Sequence, residues 1–223
     1  MDDDSAPRPI DVIGAAQSDY SRLIALLYEQ GYFGPEISIT VDGREAASLS
    51  PVAAPAAVSQ VVVSVTPGAR FTFGAVAIAP AATGTAPTPE VATGAQASVS
   101  ALRSATATHI EGWRQQGHAK AAVSRQNIIA NHPNRQINAD IRLDPGPQLR
   151  LGRLRIEGES AVREKRIREI AGWPSGAVFD PDTLDLVQTR LRRTGTFAST
   201  SLTEAETPNG KMRLEIVKIE SPE

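Results

Sequence analysis

The chain has 223 residues, of which 41% are hydrophobic and only 4% aromatic, so any core must be built from Ile, Leu, Val and Ala. A net charge of -2 argues against a strong non-specific nucleic-acid surface, which is normally basic, and the absence of cysteine excludes disulfide frameworks and thiolate metal sites. No apolar run reaches the ~20 residues of a membrane helix, and the acidic start Met1-Asp2-Asp3-Asp4 does not read as a signal peptide.

The periodicity predicts a helix over residues 18–30, with Tyr20, Leu23, Ile24 and Leu27 facing inward and Gly31 as its stop. Two strands follow at 36–42 and 60–65, setting Ile37, Ile39 and Val41 against Val61, Val63 and Val65. Between them, 46–57 reads as an Ala/Ser/Pro-rich loop. A strand is expected next at 71–78, then a short or irregular helix within 82–96, then a helix at 98–116 with Val99, Leu102, Ile110 and Trp113 as its apolar stripe. Gly117 ends that helix, and strands are expected at 119–124 and 137–143.

The last third reads most clearly. A strand at 149–158 precedes a helix at 161–171, closed by Gly172-Trp173-Pro174. Asp180 supplies an N-cap and Pro181 the first helical position of a second helix, whose core face is Leu184, Val187 and Leu191. Gly195 stops it. A strand at 197–202, a turn at Pro208-Asn209-Gly210 and alternating Met212, Leu214 and Ile216 complete the order β-α-α-β-β, with the last two strands paired.

The landmarks repeat. Pro67-Gly68 and Pro145-Gly146 lie 78 residues apart, as do Gly74 and Gly152, and Gly117 and Gly195; Gly31 precedes Gly117 by 86. A fixed period of this kind points to tandem small units, and so to a modular scaffold. In both copies of the first strand the apolar alternation changes phase at a glycine. Phe71 and Phe73 give way to Val76 and Ile78 across Gly74, and Leu149 and Leu151 give way to Leu154 and Ile156 across Gly152, which suggests a bulge. The spacing places three units at 1–66, 67–144 and 145–223, with the first strand of the first unit expected before residue 1.

No catalytic constellation stands out. His109 lies on a helix near Ile110 and Trp113, His118 is expected to start a strand, and His132 falls in the turn Asn131-His132-Pro133-Asn134; their spacing matches no zinc motif. Nucleophile-elbow and phosphate-loop patterns are missing. The basic run Arg163, Lys165, Arg166 and Arg168 is interleaved with Glu164 and Glu169 and reads as a solvated helix face, with anionic lipid or an acidic partner as the functional reading. Of the adjacent aromatics Tyr32 and Phe33, one is expected in the core or a turn, the other at a partner contact.

Gln30-Gly31-Tyr32-Phe33-Gly34-Pro35, Val65-Thr66-Pro67-Gly68 before Phe73-Gly74, Pro145-Gly146 before Leu151-Gly152, Arg155-Ile156-Glu157-Gly158 and Thr194-Gly195-Thr196-Phe197 together resemble POTRA domains of the kind found in TamA-like outer-membrane assembly proteins, over about residues 14–220. The resemblance implies an α+β array of β-α-α-β-β units, each a three-stranded mixed sheet with two helices on one face. It implies a periplasmic scaffold of an outer-membrane protein with a native C-terminal membrane barrel, a TamB-like inner-membrane-anchored partner and unfolded outer-membrane protein or autotransporter clients. It implies neither catalysis nor a cofactor, metal or nucleic acid. It also places the strand after each stop glycine at a sheet edge, where an extended segment can pair. The corresponding partner-binding residues are Tyr32, Phe33, Ile37, Ile39, Thr196, Phe197, Ser199, Thr200 and Ser201, with Gly31, Gly74, Gly117, Gly152 and Gly195 as structural turns. Two other readings stay open: the POTRA region of a two-partner-secretion transporter or general barrel-assembly subunit, and an enzyme with ferredoxin-like repeats.

Overall fold

The computed structural model describes residues 8–50, 55–156, 162–197, 199–205 and 212–220; for 199–200, 203–205 and 212–220 it describes the backbone alone. The element order is α1 (Pro9–Glu29), β1 (Glu36–Val41), β2 (Arg44–Glu45), β3 (Val61–Thr66), β4 (Thr72–Ala79), α2 (Val99–Arg114), β5 (Ala122–Asn131), β6 (Gln136–Asp144), β7 (Leu151–Ile156), α3 (Glu164–Ala171), α4 (Pro181–Arg193), β8 (Ser199–Ala205) and β9 (Met212–Glu220). Three three-stranded sheets result, ordered β2-β1-β3, β4-β6-β5 and β7-β9-β8. The fold is α+β, with helices packed on sheets.

The chain divides into two compact units. One comprises Met1–Val76, Thr88–Ala105 and Asn127–Asp140, and the other comprises Ala77–Pro87, Thr106–Gln126 and Ile141–Glu223. In the first unit α1 begins well before the expected start. Pro9 occupies its first turn and Asp11 adds a carboxylate there, both favourable at a helix N-terminus. Ile13 and Ala16 extend the buried stripe toward Tyr20 and Leu23, which pack over Ile39, Val41 and Ala46. Ile24, expected inside, is 38% exposed, because the covered sector of α1 runs through Ile13, Ala16, Tyr20 and Leu23 and passes it by. Val99 of α2 is likewise exposed. β1 and β3 pair antiparallel in the register read from the sequence: Ile37 with Val65, Ile39 with Val63, Val41 with Val61. A hairpin absent from the sequence reading returns from β1 through Asp42-Gly43, both at positive φ, into the two-residue β2.

In the middle sheet the only element between β4 and α2, among the described residues, is a 3-10 turn at Pro89–Val91. β5 starts at Ala122, later than expected. His118 belongs to a turn that the Ala121 N–H closes onto its carbonyl, and so does not begin a strand.

In the second unit β7 runs parallel to β9 and β8 antiparallel to it, giving the mixed sheet. The β7–β9 register slips between Leu151 and Leu154, on either side of Gly152, as the phase change predicts. Leu154, Ile167, Ala171, Val187 and Leu191 form one core cluster, and Ala119, Leu149, Leu151 and Phe179 another. Asp180 caps α4 by accepting the Asp182 N–H at 3.1 Å and the Thr183 hydroxyl at 2.9 Å. Gly172 and Gly195 take left-handed conformations after α3 and α4. α3 starts at Glu164 and β8 at Ser199, both later than expected. The expected strand end at 157–158, helix start at 161 and turn at 208–210 lie outside the described residues.

Candidate functional site

The fold offers two kinds of site: open sheet edges, and the junctions where a stop glycine meets the start of a later strand.

Two of the three strands that follow stop glycines lie at edges. β5 flanks β6, and β8 flanks β9. Val123, Ile128 and Ile129 of β5 are exposed, as is Ser201 of β8. Of the residues expected at the β8 edge, Ser199, Thr200 and Ser201 lie in the strand. Thr196 and Phe197 precede it; Thr196 is exposed and Phe197 packs against the core of Leu154, Ile167 and Leu191.

The third such strand, β1, is central and is not an edge, which corrects the expectation for Ile37 and Ile39. β2 covers Thr40 and Val41. Further along, side chains occupy its outward backbone: the Tyr20 hydroxyl accepts the Ile39 N–H at 3.1 Å and bonds to the Glu45 carboxylate, which also accepts from the Ser38 hydroxyl at 2.9 Å. The Ile39 side chain is fully buried. Tyr20 was expected only to face inward, and Glu45 was not singled out in the sequence. The signal for them was Asp42-Gly43, a strong hairpin dipeptide that brings Glu45 back beside β1.

The junctions repeat bond for bond. Within the first unit, Phe71 N–H donates to Gly31 O at 2.8 Å, Ala97 N–H to Phe71 O at 3.1 Å, Phe73 N–H to Ala95 O at 2.8 Å and Gly94 N–H to Phe73 O at 2.8 Å. Within the second, Leu149 N–H donates to Gly117 O at 2.8 Å, Phe179 N–H to Leu149 O at 2.9 Å, Leu151 N–H to Ala177 O at 2.8 Å and Gly176 N–H to Leu151 O at 2.7 Å. Gly31 and Gly117 sit at φ 88 and 93, and a Cβ there would meet Ala97 O at 2.9 Å or Val178 Cγ1 at 2.6 Å. Only glycine satisfies both the backbone and the space.

Side chains personalise each clasp. At the first, Glu29 accepts the Ser100 N–H at 3.0 Å and so caps α2 from the neighbouring helix; Gln96 donates to Gln30 O at 3.0 Å. Tyr32 accepts from Arg70 at 2.9 Å, and Phe33 lies between Tyr28 and Phe71, with ring centroids 5.0 and 5.7 Å away. Both expected partner-contact aromatics are thus half-buried and engaged within the junction. At the second, Arg114 stacks over Phe179 at 5.2 Å, Gln148 donates to Gln116 O at 2.9 Å and His118 Nδ1 lies 2.8 Å from Gly146 O. At Gly74 the reason for glycine is close approach: a Cβ would lie 2.3 Å from Asn138 Oδ1, which accepts the Ala75 N–H at 2.8 Å.

Of the histidines, His132 packs edge-on against Phe71, and His118 against Trp113. Among the described residues no group of His, Cys, Asp or Glu could hold a metal ion. A cleft of about 380 Å³ is lined by Arg153, Leu154, Arg168, Trp173 and Ser175. Trp173 and Ser175 both donate to Gly152 O, and Arg168 donates to Leu154 O and pairs with Glu164. Arg166 pairs with Glu169 at 3.0 Å, so this helix face neutralises much of its own charge. Among the described residues no helix is long and apolar enough to cross a membrane.

Neither a protein-family model nor a curated protein matches the sequence. Solved structures do. Haemophilus influenzae BamA POTRA3-5 superposes with a TM-score of 0.64 at 14% identity, over 91% of this chain and 80% of that one. The chain has the POTRA fold. A BamA structure from Haemophilus ducreyi lacking POTRA domains 1-3 gives a TM-score of 0.55 at 15% identity, over 68% of this chain and 30% of that one. The mixed three-stranded third sheet, with β9 central, is part of that fold in this chain.

Proposed function

We propose that the chain is the periplasmic POTRA scaffold of a TamA-like outer-membrane assembly protein, made of three repeats at 1–66, 67–144 and 145–223. It binds segments of a TamB-like partner and of unfolded outer-membrane protein or autotransporter clients by backbone pairing. The observation that carries this reading is the edge position of β5 and β8, with Val123, Ile128, Ile129 and Ser201 exposed. An edge presents unpaired amides and carbonyls at a fixed spacing, so an extended segment adds as a further strand with little dependence on its sequence. The chemistry is association alone; no covalent step or cofactor enters it.

Site-specific photocrosslinking tests the proposal. Photoreactive residues at Ile129 of β5 and Ser201 of β8 are expected to capture an unfolded outer-membrane protein and the TamB-like partner. Matched probes at Lys165 of α3 and Leu186 of α4 are expected to capture little. Capture confined to the two helices overturns edge pairing.

A further inference from the structure

The middle and third sheets each have a second edge, β4 opposite β5 and β7 opposite β8. The phase-shifting glycine changes what these strands turn outward. In a regular strand, neighbouring residues direct their backbone groups to opposite sides. Here the Leu151 N–H and C=O both meet the following loop, at Ala177 and Gly176, and the C=O of the next residue, Gly152, turns the same way, to Trp173 and Ser175. Phe73 and Gly74 do the same toward Ala95, Gly94 and Thr93. Each phase change thus leaves two successive carbonyls on one edge, and the loop backbone bonds the first.

The second carbonyl is met by the same kind of dipeptide in both copies. The Thr93 hydroxyl donates to Gly74 O at 2.9 Å, and the Gly94 N–H donates to Phe73 O at 2.8 Å. The Ser175 hydroxyl donates to Gly152 O at 3.0 Å, and the Gly176 N–H donates to Leu151 O at 2.7 Å. Gly94 and Gly176 sit at φ 88 and 86, and a Cβ on either would meet nothing within 4 Å. Glycine therefore serves the left-handed turn that aims the hydroxyl, not close packing.

The third sheet carries more donors. Trp173 Nε1–H also donates to Gly152 O, at 2.9 Å, so both lone pairs of that carbonyl are used. Arg168 donates to Leu154 O, two residues further along β7. Arg168, Trp173 and Ser175 line the cleft beside Arg153, so that cleft is the closed flank of β7. Folded proteins block sheet edges to decide what pairs with them, and a carbonyl already bonded gains an incoming strand no net hydrogen bond.

We infer that Thr93-Gly94 and Ser175-Gly176, the latter with Trp173 and Arg168, are edge guards that confine strand addition to β5 and β8 by occupying the outward carbonyls of β4 and β7. This inference rests on the edge-pairing function proposed above. Thr93, Trp173 and Ser175 are positioning residues: they act through the backbone of β4 and β7 and set which side of each sheet receives the segment.

A synthetic peptide of alternating Thr and Val, with a lysine at each end, is the probe. It is offered to the full chain carrying one photoreactive residue at Ile129, Ser201, Ala75 or Arg153; the last two are the exposed residues that follow Gly74 and Gly152. In the parent, capture is expected at Ile129 and Ser201, with little at Ala75 and Arg153. Thr93→Val removes the donor while keeping the side chain's shape, and should raise capture at Ala75 by roughly fivefold, the ratio that one net hydrogen bond corresponds to. Thr93→Ser keeps a hydroxyl and should stay at the parental level. Trp173→Phe combined with Ser175→Ala should raise capture at Arg153 similarly, and either change alone should do less because one donor still holds Gly152 O. A merely structural role would lower the melting temperature and leave Ala75 and Arg153 silent. The inference is overturned by parental capture at Ala75 and Arg153 equal to that at Ile129 and Ser201, or by no rise at Ala75 in Thr93→Val with melting unchanged. Both results leave the proposed function standing, whereas absence of capture at Ile129 and Ser201 overturns that function and the guards with it.

Discussion

The first and third sheets share a helix, a stop glycine and an antiparallel hairpin, yet the third buries its helix stripe and the first leaves it half open. The residues are equally apolar: Leu23 and Leu27 against Val187 and Leu191. Burial therefore depends on how many layers converge on the stripe. In the third sheet α3 and β7 join α4 around Leu154 and Ile167. In the first, the core around α1 is closed by β1, Ala46, Leu49 and Val58.

Truncation should expose this difference most strongly. Leu191→Ala is expected to destabilise by about 2–5 kcal/mol, the range for fully buried leucines, whereas Leu27→Ala should cost only about 1–2 kcal/mol because the leucine already meets solvent. Denaturant-dependent hydrogen exchange, resolved to α4 and α1, measures each locally. Equal losses would mean that the two cores are equally closed.

The junctions give a smaller contrast. Gly31→Ala and Gly117→Ala should each lose about 1–2 kcal/mol from the left-handed backbone alone. Gly31→Ala should lose more, because its new Cβ meets the backbone carbonyl of Ala97, while at Gly117 it meets the side chains of Val178 and Gln148. Thermal unfolding of both variants checks the order; a larger loss at Gly117 reverses it.

The smallest effect lies at the start of α1. Hydrogen bonds from Arg8, at 2.8 and 3.1 Å, hold the Asp11 carboxyl below its usual range. A folded value below the unfolded one stabilises above the unfolded value of about 3.8 and loses that contribution as pH falls through the folded value. Both groups are exposed, so Asp11→Asn should leave the melting temperature at neutral pH unchanged, and any difference from the parent should narrow further under acid.

Much of this was legible in the sequence because it is locally encoded. Asp180-Pro181 and Gly195 bracket α4 through bonds within a few residues, and the 78-residue period fixed attention on the glycines at which the bulge and close approach occur. What failed depends on distant partners. Periodicity placed Ile24 and Val99 on apolar stripes but could not say which sector a neighbour covers. His118 is the local exception: it reads as a strand entrance, but its carbonyl closes a turn with Ala121, three residues on. The closure of β1 needs Tyr20 and Glu45 to converge from a helix and a hairpin, and Tyr32 and Phe33 are held by residues nearly forty positions away, at Arg70 and Phe71.

The glycine clasp also bears on cooperativity. The carbonyl of Gly31 is held by the same Phe71 whose own carbonyl is held by Ala97, and Gly117, Leu149 and Phe179 repeat the relay. The end of each helix and the strand segment bonded to it are thus linked, so that the free energy of one includes the order of the other. Fraying that begins at the thinly covered first sheet would reach this clasp first, and changing Phe71 should alter how sharply the protein melts more than where any one sheet does.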